Sequence, residues 1–115
     1  HLRSEAMECS LFEGLGPSFP AISGHADSVH SLPDGCQWLA ESKDTPIQAF
    51  HYENLFFGVQ FHPEFTGEII QYLWSHRLET WRSMVPFDLG ERIDNLEDAP
   101  GTQRILTQFA RTVVT

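Results

Sequence analysis

The stretch LFFGVQF at residues 55–61 is the strongest structural signal in this sequence. It is almost continuously apolar, which is typical of a β-strand that is covered on both faces. Such strands lie in the interior of α/β domains, between layers of helices. The stretch therefore predicts an α/β fold in which residues 55–61 form a central strand.

Two more strands are predicted directly before this one. A turn at residues 32–35 leads into a strand over residues 36–42, and a turn at residues 43–46 leads into a strand over residues 47–52. Their connections are short and polar, and such connections join antiparallel neighbours. The three strands therefore predict an antiparallel meander. A fourth short strand is predicted at residues 19–23.

Two helices are predicted after the central strand. Thr66 is the predicted N-cap of the first helix, which extends to about Met84. Residues 86–100 contain two prolines, a glycine and several acids, and they predict a loop with at most a short helix over residues 90–96. Residues 102–114 predict the final helix. The apolar stripes expected to pack in the core contain Ile70, Leu73, Trp74, Leu78 and Trp81 in the first helix, and Ile105, Leu106, Phe109 and Val113 in the last.

A histidine and a carboxylate follow the central strand, in the order His62-Pro63-Glu64. Open α/β sheets build their active sites at the carboxyl ends of strands. An imidazole can take a proton from a thiol, and a neighbouring carboxylate can fix its tautomer and stabilise the charged ring. An isolated pair of this kind is more often a surface ion pair. The geometry also suits a base, His62, and its orienting group, Glu64, so both interpretations stay open from these residues alone.

The motif GVQFHPE at residues 58–64 resembles the C-terminal signature of the class I, or triad-type, glutamine amidotransferases. The likeness continues in GHADSV at residues 24–29, LPDG at 32–35, LAES at 39–42, PIQAF at 46–50 and RILTQF at 104–109. It is strongest to members similar to the amidotransferase domain of GMP synthase. The resemblance implies a flavodoxin-like α/β fold. Residues 1–115 would then be the C-terminal portion of a single domain, with an antiparallel strand set, one central strand and two C-terminal helices.

The same resemblance implies roles for individual residues. In this family a cysteine in a Gly-x-Cys-x-Gly elbow attacks the side-chain amide of glutamine and forms a thioester, with a histidine as base. Carried over, His62 is the base and Glu64 orients it, while Gly24, Ala26 and Asp27 contact the substrate glutamine. A Gly-His-Ala-Asp turn can also be satisfied by its own side-chain to backbone hydrogen bonds, so a purely structural role of this loop stays open.

The nucleophile of that family is not found in these 115 residues. Cys9 stands in ECS and Cys36 in GCQ, and neither has glycines on both sides. We expect both to be free, packed thiols. The cysteine elbow is expected in a missing N-terminal half of the domain, so the chain alone is expected to be inactive. Ammonia from the complete domain would pass to a synthetase partner or domain.

Two other functions are compatible with these residues. A γ-glutamyl peptidase or hydrolase of the same fold would use a similar histidine and cysteine on a different γ-glutamyl substrate. Alternatively, the chain is a non-catalytic truncated remnant or one half of a split enzyme, and acts as a binding module.

Composition and charge argue against several further classes of function. Seven Lys+Arg against sixteen Asp+Glu give a net charge of -9, and the scattered basic residues argue against nucleic-acid or anionic-membrane binding. No apolar run approaches the roughly 20 residues that span a bilayer, and no signal peptide is recognised, so we expect a cytoplasmic protein. The histidines show no compact metal-ligand spacing, and neither a metal nor a cofactor is expected.

Overall fold

A computed structural model describes residues 1–53 and 55–114 of the chain, with side chains up to residue 112. In chain order, the elements are the 3₁₀ turns Ser4–Glu8 and Ser10–Phe12, the strands β1 (Cys36–Ala40), β2 (Ala49–Tyr52) and β3 (Phe56–Val59), the helix α1 (Gly67–Trp81), the 3₁₀ turn Arg82–Met84, and the helices α2 (Leu89–Asp94) and α3 (Gln103–Val114). The chain thus has an α/β structure, as predicted.

The three strands form one antiparallel sheet in the order β1-β2-β3. Phe50 in β2 lies opposite Trp38 in β1 and opposite Gly58 in β3. A Cβ atom at Gly58 would stand only 2.5 Å from the Phe50 ring, so the ring occupies the space that any side chain at position 58 would need. The predicted antiparallel meander is confirmed, although each strand is shorter than the sequence predicts.

The prediction that residues 55–61 form a central strand is not met within the described part of the chain. β3 is the edge strand of the sheet, with β2 on one side only. On one face of β3, Phe57 and Val59 pack against the core, whereas Phe56 on the other face is 56% exposed. The two faces of β3 therefore differ, because the layers that a central strand needs on its second face are not supplied by the residues described.

The main core lies between the sheet, the N-terminal 3₁₀ turns and α3. Leu39 from β1 and Ala49 from β2 meet Phe12 from the second 3₁₀ turn and Ile105 from α3. Phe61, which follows β3, is also buried in this cluster. The last helix therefore packs against the sheet and against the N-terminal 3₁₀ turns. The segment that follows β3 lies close to the same turns, because Phe61 shares their cluster.

A smaller second cluster lies under α1. Ile22, Ile70 and Ala99 are buried in it, and Phe65 and Trp74 pack against it. Ile22 belongs to residues 19–23, which form no strand, so the prediction of a fourth strand is wrong. Its carbonyl instead accepts a single hydrogen bond from the backbone N–H of His62, at 2.8 Å. This contact ties residues 19–23 to the segment that follows β3.

The first helix begins where the sequence predicts. Thr66 Oγ1 accepts a hydrogen bond from the backbone N–H of Ile69 at 3.1 Å, which is the expected N-cap contact. Of the predicted apolar stripe of α1, only Ile70 is buried. Trp74 packs against the second cluster, as predicted. Trp81 lies outside both clusters, and the Arg77 guanidinium lies 5.5 Å from the centroid of the Trp81 ring. The face of α1 that contacts the protein is thus narrower than predicted.

The remaining helices agree with the predictions in place but not in burial. α2 is short, as predicted, and Asp88 caps it by accepting a hydrogen bond from Glu91 N–H. In α3, Ile105 is buried, whereas Leu106 and Phe109 are 44% and 43% exposed, and the predicted stripe residue Val113 lies outside the described side chains. Within residues 1–53 and 55–114, no helix is long and apolar enough to cross a bilayer.

Candidate active site

The His62-Pro63-Glu64 motif forms a tight turn that begins shortly after the end of β3. The turn is closed by a hydrogen bond of 3.2 Å from Phe65 N–H to the His62 carbonyl. Pro63 is buried and occupies the second position of the turn, where its fixed φ angle is favourable. The backbone N–H of His62 also donates a hydrogen bond to the Ile22 carbonyl, so both the N–H and the carbonyl of His62 are fixed by hydrogen bonds.

The structure brings the two predicted catalytic side chains together. His62 Nδ1 and Glu64 Oε1 lie 2.8 Å apart, and the side chains are 34% and 51% exposed. Since a carboxylate only accepts, Nδ1 carries a hydrogen and donates it. Burial raises the pKa of the Glu64 carboxyl, but the hydrogen bond from His62 and that from its own backbone N–H outweigh it, so the pKa lies below the usual range of a glutamate. The pair therefore persists with Glu64 ionised.

The second nitrogen of the imidazole faces a backbone carbonyl from a distant part of the chain. His62 Nε2 lies 3.3 Å from the Gly24 carbonyl oxygen. A carbonyl also only accepts, so both contacts of the ring are hydrogen bonds only when both nitrogens carry hydrogens. The contact with Gly24 is therefore a hydrogen bond only in the doubly protonated ring, which is the state that a base reaches after it has taken a proton.

An aromatic ring covers one face of the imidazole. The Phe65 and His62 ring centroids lie 4.4 Å apart with an angle of 15° between the planes, which is a stacked arrangement. Phe65 is partly buried against the second cluster, and its carbonyl accepts a hydrogen bond of 2.9 Å from Gln103 Nε2 in α3. Sequence analysis missed both residues. For Phe65, the sequence offered one local signal, because a residue three positions after His62 can close the turn that His62 begins. For Gln103, it offered none.

The predicted substrate-binding residues Gly24, Ala26 and Asp27 lie on one exposed loop. Of the three, Gly24 contacts the His62 ring, and Trp74 in α1 lies beside it. His25 Nδ1 bonds to the Asp27 carbonyl at 2.8 Å, so the loop also satisfies itself locally. Within the part of the chain described, no hydrogen bond joins Ala26 or Asp27 to His62 or Glu64.

The two cysteines are free and lie away from these contacts. Both are partly buried, and burial raises the pKa of the Cys9 thiol, which lowers its thiolate fraction. Cys9 lines an open cleft of about 340 Å³ together with Gln37 and His51, and His62 does not line this cleft. Neither Cys9 nor Cys36 is among the described contacts of His62. Among the side chains that the structure describes, no three His, Cys, Asp or Glu residues cluster as metal ligands.

Comparison with known proteins finds a family and several relatives that are similar to this chain. The profile of the family described as "Glutamine amidotransferase class-I" matches residues 1–72. A GMP synthase (glutamine-hydrolyzing) of Gibberella zeae is 46% identical over 55 residues, which are 47% of this chain and 10% of that protein. One subunit of the GMP synthase (glutamine-hydrolyzing) of Sulfurisphaera tokodaii is 45% identical over 58 residues, which are 50% of this chain and 31% of that polypeptide.

A third relative, the GMP synthase (glutamine-hydrolyzing) of Thermosipho melanesiensis, is 40% identical over 67 residues, which are 57% of this chain and 13% of that protein. The match with each of these three relatives thus spans at most 31% of the relative's own length. No solved structure matches the chain.

Proposed function

The chain belongs to the class I glutamine amidotransferase family, and on this basis we propose that it carries the base and the orienting carboxylate for hydrolysis of the glutamine side-chain amide. His62 is the base and Glu64 orients it. The observation that carries the proposal is the 2.8 Å contact between His62 Nδ1 and Glu64 Oε1, because a neutral imidazole that donates from Nδ1 has an unprotonated Nε2 that can take a proton. The products are glutamate and ammonia.

In the proposed mechanism, the nucleophile is a cysteine outside these 115 residues. His62 Nε2 takes the thiol proton, the sulfur attacks the amide carbon, and the charged imidazole then returns the proton to the leaving ammonia. Water hydrolyses the resulting thioester with His62 again as base, which releases glutamate and the thiol. The Glu64 carboxylate stabilises the imidazolium that forms in both half-reactions.

The Gly24 loop is proposed to hold the substrate. Its position beside His62 supports this role, because the Gly24 carbonyl lies 3.3 Å from Nε2. Glutamine carries an α-ammonium and an α-carboxylate besides its reacting amide. The exposed Asp27 carboxylate suits the ammonium, and backbone N–H groups around Ala26 suit the carboxylate.

Residues 1–115 are proposed to form the C-terminal portion of one flavodoxin-like amidotransferase domain. Among the described residues, β3 pairs only with β2, and Phe56 on its face is exposed. Both observations support this arrangement, since a further strand of the same domain would pair with the edge and a further layer would cover Phe56. Relatives named as a GMP synthase, or as one of its subunits, support ammonia transfer to a synthetase domain or partner. A cytoplasmic location stays a prediction.

The relatives also bear on the two alternative functions. All three relatives described above are named for glutamine hydrolysis. No observation specifically favours a γ-glutamyl peptidase or a non-catalytic binding module.

The proposal is tested by measuring ammonia release from glutamine with the full-length protein and with the 115-residue chain alone. We expect turnover and a glutamyl thioester, detected by mass spectrometry, with the full-length protein only. Glutamine turnover by the 115-residue chain that is abolished by His62→Ala would show that the nucleophile lies within it. A full-length protein that forms neither ammonia nor a thioester would overturn the proposed activity.

A further inference from the structure

We propose that Phe65 is a positioning residue, braced by Gln103, that fixes the plane of the His62 imidazole. This inference rests on the proposed function of His62 as the base. It concerns a residue that follows the His62-Pro63-Glu64 motif, and a second residue in α3 that lies beyond the residues matched by the family profile.

The need for a positioning residue follows from the exposure of the imidazole. The His62 side chain is 34% exposed, and the second torsion angle of a histidine has only broad preferences. The hydrogen bond to Glu64 fixes one edge of the ring but still allows the ring to tilt about that bond. The Phe65 ring, stacked at 4.4 Å and 15°, restricts this tilt because it covers one face. The hydrogen bond and the stack together define the direction of Nε2.

Phe65 can hold another ring only if it is itself fixed, and the structure gives it three supports. Its backbone N–H donates to the His62 carbonyl at 3.2 Å. Its carbonyl accepts a hydrogen bond from Gln103 Nε2 at 2.9 Å. Its ring packs against the second cluster, which includes Ile22 and Ile70. The brace therefore connects the imidazole to α3 through a single residue.

The stack also distinguishes the two protonation states of the base. The face of an aromatic ring attracts a cation, and this attraction is absent for the neutral imidazole. The contact with Phe65 therefore strengthens when His62 takes the thiol proton. Interactions that are stronger after proton transfer than before it accelerate the step, so Phe65 is expected to act on turnover rather than on substrate binding.

The test uses the full-length protein with Phe65→Leu, which removes the ring but keeps an apolar side chain, and Phe65→Tyr, which restores a ring. We expect Phe65→Leu to lower kcat about ten- to a hundred-fold with KM unchanged, as for a misplaced catalytic group. Phe65→Tyr should keep kcat close to that of the unmodified protein. Gln103→Leu, which removes the brace and leaves the ring, should lower kcat up to about ten-fold, the effect of one hydrogen bond.

A second readout reports the stack itself. The Phe65 ring shields the carbon-bound protons of the His62 imidazole, so their NMR signals should move downfield in Phe65→Leu and stay in place in Phe65→Tyr. His76, which lies 4.2 Å from the Tyr72 ring centroid, provides an internal control whose signals should not move.

Two outcomes separate the inference from the function on which it rests. If His62→Ala abolishes turnover while Phe65→Leu changes neither kcat nor the His62 signals, the positioning role is wrong and the function stands. If His62→Ala leaves turnover intact, the proposed function itself fails. Should Phe65→Leu not fold, unchanged kcat and unchanged His62 signals in Gln103→Leu would contradict the brace.

Discussion

His62 and His76 both lie beside an aromatic ring, but the residues that contact them come from different parts of the chain. His62 stacks on Phe65 at 4.4 Å, and its Nδ1 bonds to the Glu64 carboxylate. His76 lies 4.2 Å from the Tyr72 ring, and its Nδ1 bonds to the Tyr72 carbonyl at 2.8 Å. Each ring thus has an aromatic neighbour and a hydrogen-bond acceptor at the same nitrogen.

The difference lies in how far along the chain the contacts come from. Both contacts of His76 are with a residue four positions earlier, which any regular helix brings into reach. Those of His62 come from its own turn and from Gly24, with Gln103 supporting Phe65 from α3. Convergence of separate segments on one side chain, rather than residue type, therefore distinguishes the candidate base from a histidine of the helix surface.

Substituting each histidine in the full-length protein tests this comparison most strongly. We expect His62→Ala to lower glutamine turnover by about 10²- to 10⁴-fold, because a positioned base contributes that much to such reactions. His76→Ala, the matched control, should leave turnover unchanged. The measurement is kcat for ammonia release, with circular dichroism to verify folding. An equal loss in both variants would mean that convergence of contacts does not identify the base.

The N-cap of α1 offers a weaker test, because Thr66 lies close to His62 in sequence but bonds only to its own helix. Thr66→Ala should lower the free energy of unfolding by about 1 kcal/mol, the usual effect of losing such a cap. Thr80→Ala, at an exposed position near the end of the same helix, should change it by less than about 0.5 kcal/mol. Both values come from chemical denaturation. A loss as large for Thr80→Ala as for Thr66→Ala would contradict the capping role.

The smallest expected effect is a pH dependence of the His62–Glu64 pair. Because the pKa of Glu64 is lowered in the folded protein, the stabilisation by the pair is present above the ordinary glutamate value of about 4.3 and is lost as the pH falls through the lowered pKa. The stability change should be small, since half of the Glu64 side chain is exposed.

An NMR titration of the Glu64 carboxyl carbon measures this directly. The midpoint should lie below the ordinary value of a glutamate in the unmodified protein and rise in His62→Ala. His76→Ala should leave the Glu64 midpoint unchanged, because the Nδ1 of His76 bonds to the Tyr72 carbonyl and not to Glu64. A Glu64 midpoint that His62→Ala does not raise would show that the hydrogen bond does not cause the shift.

Features that depend on neighbouring residues were predicted well from the sequence. The bend at residues 43–46 and the Thr66 cap involve contacts within a few positions, and both are found where the sequence predicts them. The side-chain pair His62 and Glu64 is likewise two positions apart and in contact. Local chemistry is sufficient for each of these features.

Features that depend on distant segments were not predicted. The apolar run at residues 55–61 does not reveal which segments cover it, and the structure gives β3 one partner. Residues 19–23 have a strand-like sequence but obtain a single hydrogen bond from His62 instead of a sheet partner. Gln103 reaches Phe65 across 38 positions of the chain. Its amide has no sequence pattern that would indicate this contact.

The open edge of β3 also affects how long such a chain survives once it is synthesised. In the part of the chain that the structure describes, no strand pairs with the outer edge of β3, and this edge beside the exposed Phe56 and Leu55 is a template on which another chain can add as a strand. Chaperones and proteases act on exposed apolar surface of this kind. If nothing covers this edge, the abundance of the polypeptide in a cell would be set by the rate of its degradation and by its aggregation, which increases with concentration.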